Sequence, residues 1–247
     1  MSLSGVRSAP VGRLWAAAFV ALAAGLAFLA APQFVAALLK VPGDAANIEM
    51  LHNGPLEIGN FDDIIASRQA AGRWVSSGRI DNSIGWAALQ TVNELMRLQV
   101  RQPEEEARYL TLGIAALERG VTGQPLQPYA WYNLALGYGR RNAPGDVARI
   151  EQAWRMSVMT SPNENAMLIP RTAMGLSIWA SSSPSTRAMV AAEVARVVRN
   201  QPLRAGRAVR AQGAETFVKI MLADKPELFA LFNEMSRLPE AGSPLFP

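Results

Sequence analysis

The sequence has no cysteine and one histidine, His52. The missing cysteine excludes disulfides, thiolate nucleophiles, Cys-ligated zinc and iron–sulfur clusters, and it removes the acylated-cysteine route to a membrane. The single histidine confines any His-based metal site or Ser–His–Asp triad to His52. That residue stands in a Gly/Pro-rich stretch without Asp or Glu at ligand spacing, so it reads as a surface side chain. No metal and no cofactor is expected. Charge is also sparse, 18% of residues against about 25% in soluble proteins. Lysine is nearly absent, limited to Lys40, Lys219 and Lys225. Alternation of period two is nowhere sustained, so no strand is expected. The motifs G-x-S-x-G and H-E-x-x-H are missing, and no enzyme is expected.

The net charge of +4 comes mainly from arginine. It permits contact with anionic lipid, glycan or another polyanion without requiring it. A basic tail or basic aromatic strand is lacking, so no nucleic-acid partner is expected.

What the chain has in abundance is apolar residues, half of the total. Residues 14–31 are 18 consecutive uncharged residues, nine of them alanine. As a helix they span about 27 Å, close to the ~30 Å hydrocarbon layer. The apolar run resumes after Pro32-Gln33 and ends at Leu39. Four leucines, two phenylalanines and one valine favour insertion by ~0.3–0.6 kcal/mol each. Arg7 and Arg13 precede the span without an acidic residue, while Asp44 and Glu49 follow Lys40. More positive charge before the span predicts a cytoplasmic N-terminus and an exported remainder. A cleaved signal peptide is the rival reading, but Pro32 after the cut and Leu29 at the −3 position suit cleavage poorly. A buried core helix is the other alternative.

The expected organisation is therefore a cytoplasmic N-terminus over 1–13, a transmembrane anchor over 14–39, a linker over 40–59, a helical domain over 60–237 and an irregular tail over 238–247. In the linker, Gly/Pro pairs at 42–43 and 54–55 read as a strap with a short helical turn near 45–51. Helix spacing then dominates. Phe61, Ile64, Ile65 and Ala71 share one face, and Gly78 reads as the end of that helix. Asn82 or Ser83 reads as the cap of the next, with Trp86, Leu89, Val92, Leu95 and Met96 inward. Pro103 with Glu104, Glu105 and Glu106 is a helix start, because proline fits the first turn and carboxylates complement the positive dipole end. Further helices follow from 128, 146 and 163, the last containing Pro170. The chain then continues through shorter helices to 237.

Pro125, Pro162 and Pro202 are spaced by 37 and 40 residues, within the range of helix-pair repeats. Trp131, Leu134, Ala135 and Tyr138 form one helical face, the next helix carries Trp154 and Ser157, and Pro162 lies five residues past Ser157. This unit resembles a tetratricopeptide repeat. The turn between its helices is about three residues longer than the family's, Ile150 stands where the family prefers alanine, and Gly113 and Gly120 occupy small positions in the preceding unit. The resemblance covers about residues 83–202, most clearly in its middle unit. It implies an all-α fold of stacked helix pairs whose concave side binds a protein segment. The stretch PYAWYNLALGYGRRN with IEQAWRMSVMTSPNE also resembles single-pass accessory proteins of bacterial exopolysaccharide biosynthesis and export. That likeness implies a helper role at the inner membrane, in the periplasm, beside other envelope proteins.

Two polar features stand out. Arg204, Arg207 and Arg210, preceded by Arg196 and Arg199, put guanidinium groups along one side of a short helix, suited to carboxylates or phosphates. The bland reading is a solvated face with local ion pairs. Of Tyr129, Trp131, Tyr132 and Tyr138, Tyr132 lies off the inward face and is the expected exposed contact. Asp62-Asp63 and Glu104–Glu106 read as helix-start charges rather than catalytic carboxylates. Gly137, Gly139 and Gly145 lack the strand and the G-K-[ST] that a phosphate loop needs. In the anchor, Ala17, Ala21, Ala24 and Gly25 make a small-residue stripe that permits helix packing in a membrane.

Overall fold

A computed structural model describes residues 10–53, 58–99 and 102–237. Among these residues the chain is helical throughout, without a strand. Eleven α-helices are described: α1 (Pro10–Asn53), α2 (Ile58–Gly72), α3 (Gly78–Arg97), α4 (Pro103–Gly123), α5 (Pro128–Arg141), α6 (Asp146–Thr160), α7 (Asn165–Ile178), α8 (Pro184–Asn200), α9 (Pro202–Ala211), α10 (Glu215–Met221) and α11 (Pro226–Arg237). A 3₁₀ turn at Trp179–Ser181 extends α7. The expected irregular tail, 238–247, and most of the N-terminal segment, 1–9, lie outside the described residues, as does the 54–55 pair.

The largest departure from expectation is α1. Residues 40–53, read as a strap, are helical, so one helix of 44 residues runs through both Pro32 and Pro42. Within Leu14–Ile48 it is long and apolar enough to cross a membrane. Positions 14–31 are exposed throughout, while Ala36, Gly43 and Ala46 are buried against α2. Gly43 is needed for that approach: a Cβ there would lie 3.0 Å from the Ile64 Cα. Pro42 points away from α2, so its ring and missing N–H fall on the open side of the helix.

Successive helices pack against one another, α1 on α2, α2 on α3, α3 on α4, α4 on α5 and α5 on α6, with α7 on α8 following. The α2–α3 boundary also differs from expectation. Gly78 begins α3 instead of ending α2, and Ser77 caps it by accepting from the Arg79 N–H at 3.3 Å. Asn82 and Ser83 lie inside the helix. Met96, expected inward, is exposed, while Leu89, Val92 and Leu95 are buried as expected. Between α3 and α4 the backbones nearly touch: a Cβ on Gly85 would meet the Leu117 side chain at 2.4 Å, and one on Gly120 would meet the Asn82 backbone N at 2.9 Å.

The core has two parts. One, near the end of α1, gathers Phe61, Ile64, Ala87, Ala88, Val92 and Tyr109. The other runs from Leu89 through Leu117, Leu134, Tyr138 and Trp154 to Val194, Leu222 and Phe232. Trp154 is wholly buried and donates its indole N–H to the Arg171 carbonyl at 2.8 Å. Arg171 is itself buried. It donates to the Ser157 and Ser161 carbonyls at 3.0 and 2.8 Å and lies 3.7 Å from Glu193. Burial pushes the Glu193 carboxyl above its ordinary range, opposed by Arg171 and Arg196.

Candidate binding cleft

Tyr132 is half-buried instead of exposed. Its ring lines a cleft of about 520 Å³ together with Tyr129, Ala130 and Asn133 of the same helix. The other walls come from Asn47 of α1, Ile64 and Arg68 of α2, Asn82, Ser83 and Trp86 of α3, and Met167 and Pro170 of α7. The cleft is therefore built by α1 and α2 and by the alternate helices α3, α5 and α7. The spacing that buries Leu134, Ala135 and Tyr138 behind α5, with Trp131 partly covered beside them, turns Tyr129, Tyr132 and Asn133 toward the cleft. Burial pushes the Tyr132 phenol up to about 12, opposed by the Arg140 guanidinium. It stays protonated at neutral pH and can donate a hydrogen bond.

Arg68 is the one charged side chain lining the cleft, and the fold holds it. It donates to the Lys40 carbonyl at 3.0 Å and the Ser83 hydroxyl at 3.3 Å, and pairs with Asp44. Sequence reading missed this residue. Its signal was weak, a lone arginine on an otherwise apolar helix face. With no carboxylate among the lining residues, the cleft offers aromatic faces, amides and one committed guanidinium. Such walls suit a neutral or polar chain, whose backbone or hydroxyl groups the amides can bond.

The predicted arginines differ in burial and in partners. Arg196 pairs with Glu193 at 2.5 Å and donates to the Pro162 carbonyl at 2.6 Å, so it serves the fold. Arg199 and Arg204 are exposed on either side of the α8–α9 turn, whereas Arg207 and Arg210 are half-buried. A Cβ built on Gly206 would lie 3.3 Å from the Met235 backbone, which places α11 against this helix. None of the five lines the cleft. Ala17, Ala21, Ala24 and Gly25 are exposed on α1, and nothing lies within 4 Å of a Cβ built on Gly25. His52 lies in α1, its side chain outside the described residues. Asp62 accepts from the Tyr109 hydroxyl at 2.5 Å, and Glu105 pairs with Arg108 at 2.6 Å. Gly137 packs against Ile114, and Gly145 takes φ 86° before α6.

No protein-family model, curated protein or solved structure matches the chain. The functional reading accordingly rests on the cleft and on α1.

Proposed function

We propose that the chain is a membrane-anchored helical scaffold that binds a segment of another protein in this cleft. In this reading the first part of α1 crosses a bacterial inner membrane, and the helical domain stands in the periplasm as a non-enzymatic partner in cell-envelope polysaccharide assembly. The observation that carries it is the cleft's construction. Alternate helices α3, α5 and α7 contribute one wall each, as the first helices of stacked tetratricopeptide-like pairs do on their inner side. The burial of Leu134, Ala135, Tyr138, Trp154 and Ser157 supports that pairing, since the resemblance assigns these positions to the contact between paired helices. Aromatic rings and amides recognise an extended peptide by side-chain packing and backbone hydrogen bonds.

The test is in-cell photocrosslinking from the cleft. A photoreactive benzoylphenylalanine replacing Tyr132 is expected to give discrete adducts with envelope or membrane proteins, and the same probe at Val147 none of these. The absence of any protein adduct specific to residue 132 would contradict the scaffold reading.

A second reading has its own observation. The stripe Ala17, Ala21, Ala24 and Gly25 is uncovered within the chain and fits close helix packing with another membrane subunit. Replacing these four residues with leucine abolishes assembly with partner subunits in that case, and leaves crosslinking from residue 132 unchanged if the cleft is responsible.

A further inference from the structure

The edge of the domain nearest the apolar part of α1 brings exposed apolar and cationic side chains together. The register of the first helices defines it. Gly43 lies against Ile64 and Ser67 of α2, and Arg68 reaches the Lys40 carbonyl. The pair is antiparallel, so the α2–α3 turn returns to the level of Gln33 and Ala36. These two residues share a cavity of about 410 Å³ with Val75, Ser77 and Arg79. Across the next pair, Gly78 lies against Gly120 and Gln124, which brings the α4–α5 turn to the same level. Ala36 lies five residue steps beyond residue 31 along the helix, a rise of about 7.5 Å. The headgroup layer on each side of the hydrocarbon is about 5–7 Å deep.

This edge presents Trp74, 54% exposed, and Leu126, 78% exposed. The Trp131 indole donates to the Pro125 carbonyl at 2.7 Å and fixes the turn that carries Leu126. Arg73 and Arg79 are exposed beside Trp74 and make no ion pair among the described residues. The neighbouring carboxylates are already answered: Asp44 by Arg68 and Asp81 by Arg119 at 2.9 Å. On the opposite edge Arg97 pairs with Glu94 and Arg141 with Asp146, beside the exposed Met96, Leu98 and Val147.

We propose that this edge docks on the anionic membrane surface from which α1 emerges. Trp74 and Leu126 enter the boundary between headgroups and acyl chains, and Arg73 and Arg79 bind lipid phosphates. The inference rests on the reading that residues 14–31 cross the bilayer. Tryptophan settles at membrane interfaces because its ring is apolar and its N–H polar. Guanidinium binds phosphate through paired N–H donors. Continuity with the span supplies the rest: α1 is one helix across the junction, so the edge is carried to the lipid without a flexible linker.

The chain has no cysteine, so single spin labels can be placed in the full-length protein. Ala23→Cys, Leu126→Cys and Val147→Cys are labelled and reconstituted in vesicles of mixed zwitterionic and anionic phospholipid. The collision ratio of oxygen to a water-soluble nickel chelate reports depth. Residue 23 is expected in the bilayer core, residue 147 in water, and residue 126 severalfold above residue 147. Arg73→Glu with Arg79→Glu is expected to drop the ratio at 126 to that at 147. If residue 23 is in lipid but 126 is as wet as 147, the docking fails and the span stands. If residue 23 is wet, the span itself fails. A ratio at 126 that charge reversal leaves unchanged overturns the arginine–phosphate assignment.

Discussion

Asp146 shows how single residues close the turns of this fold. Its carboxylate, 3% exposed, accepts from Arg141 at 2.5 and 2.9 Å and from the Ala143 N–H at 2.8 Å. It thereby spans a turn in which Asn142 adopts φ 48° and Gly145 φ 86°. The Arg141 guanidinium holds the carboxyl below its ordinary range, against the effect of burial. The folded value is below the unfolded one, so the contribution to stability is full above the unfolded pKa, about 3.9, and is lost as pH falls through the folded value. Asp146→Asn is expected to lower stability by about 1–3 kcal/mol at pH 7, leaving buried donors poorly matched. Urea unfolding at pH 7 and at pH 3 checks it: the gap between wild type and variant should narrow at the lower pH.

At the scale of elements, α3 and α4 are held by absence of side chain. Gly120 sits against Asn82, and Gly85 against Leu117 and the Gly113 carbonyl. Gly120→Val is expected to push the helices apart and cost at least the ~1–3 kcal/mol typical of overpacking. Because the obstacle includes the Asn82 backbone as well as its side chain, a thermal melt should show a drop of several degrees, and Thr122→Val on the exposed side of the same helix should not. The small residues at 113 and 120 were legible in the sequence as departures from the repeat pattern. Their packing use was not, since it depends on which helix lies opposite. The helices from Pro103 and Pro128 were readable because proline at a first turn is a local signal. The strap at 40–53 misread because Pro and Gly are local breakers, while the contact of Ala36, Gly43 and Ala46 with α2 is tertiary. Met96 and Tyr132 misplaced for a related reason: periodicity tells which residues share a face, not how far the neighbouring helix covers it. The cleft itself was not legible, since Asn47, Arg68, Trp86 and Tyr132 meet only through the packing of α1, α2, α3 and α5.

On the scale of the whole molecule, the continuity of α1 is the determining feature. A helix of 44 residues is about 66 Å long at ~1.5 Å per residue. Its first part is uncovered and apolar, and its second part is a component of the domain core. In the proposed reading the domain is thus fixed to the membrane and not tethered to it, which holds the cleft at a set height above the lipid. The most direct test is thiol labelling of Val147→Cys, the sole cysteine of the chain, with a membrane-impermeant maleimide in bacterial spheroplasts, followed by alkaline carbonate extraction. Labelling without permeabilisation, on protein that stays in the membrane pellet, is the predicted result. Labelling only after lysis, or protein released to the supernatant, would contradict the account.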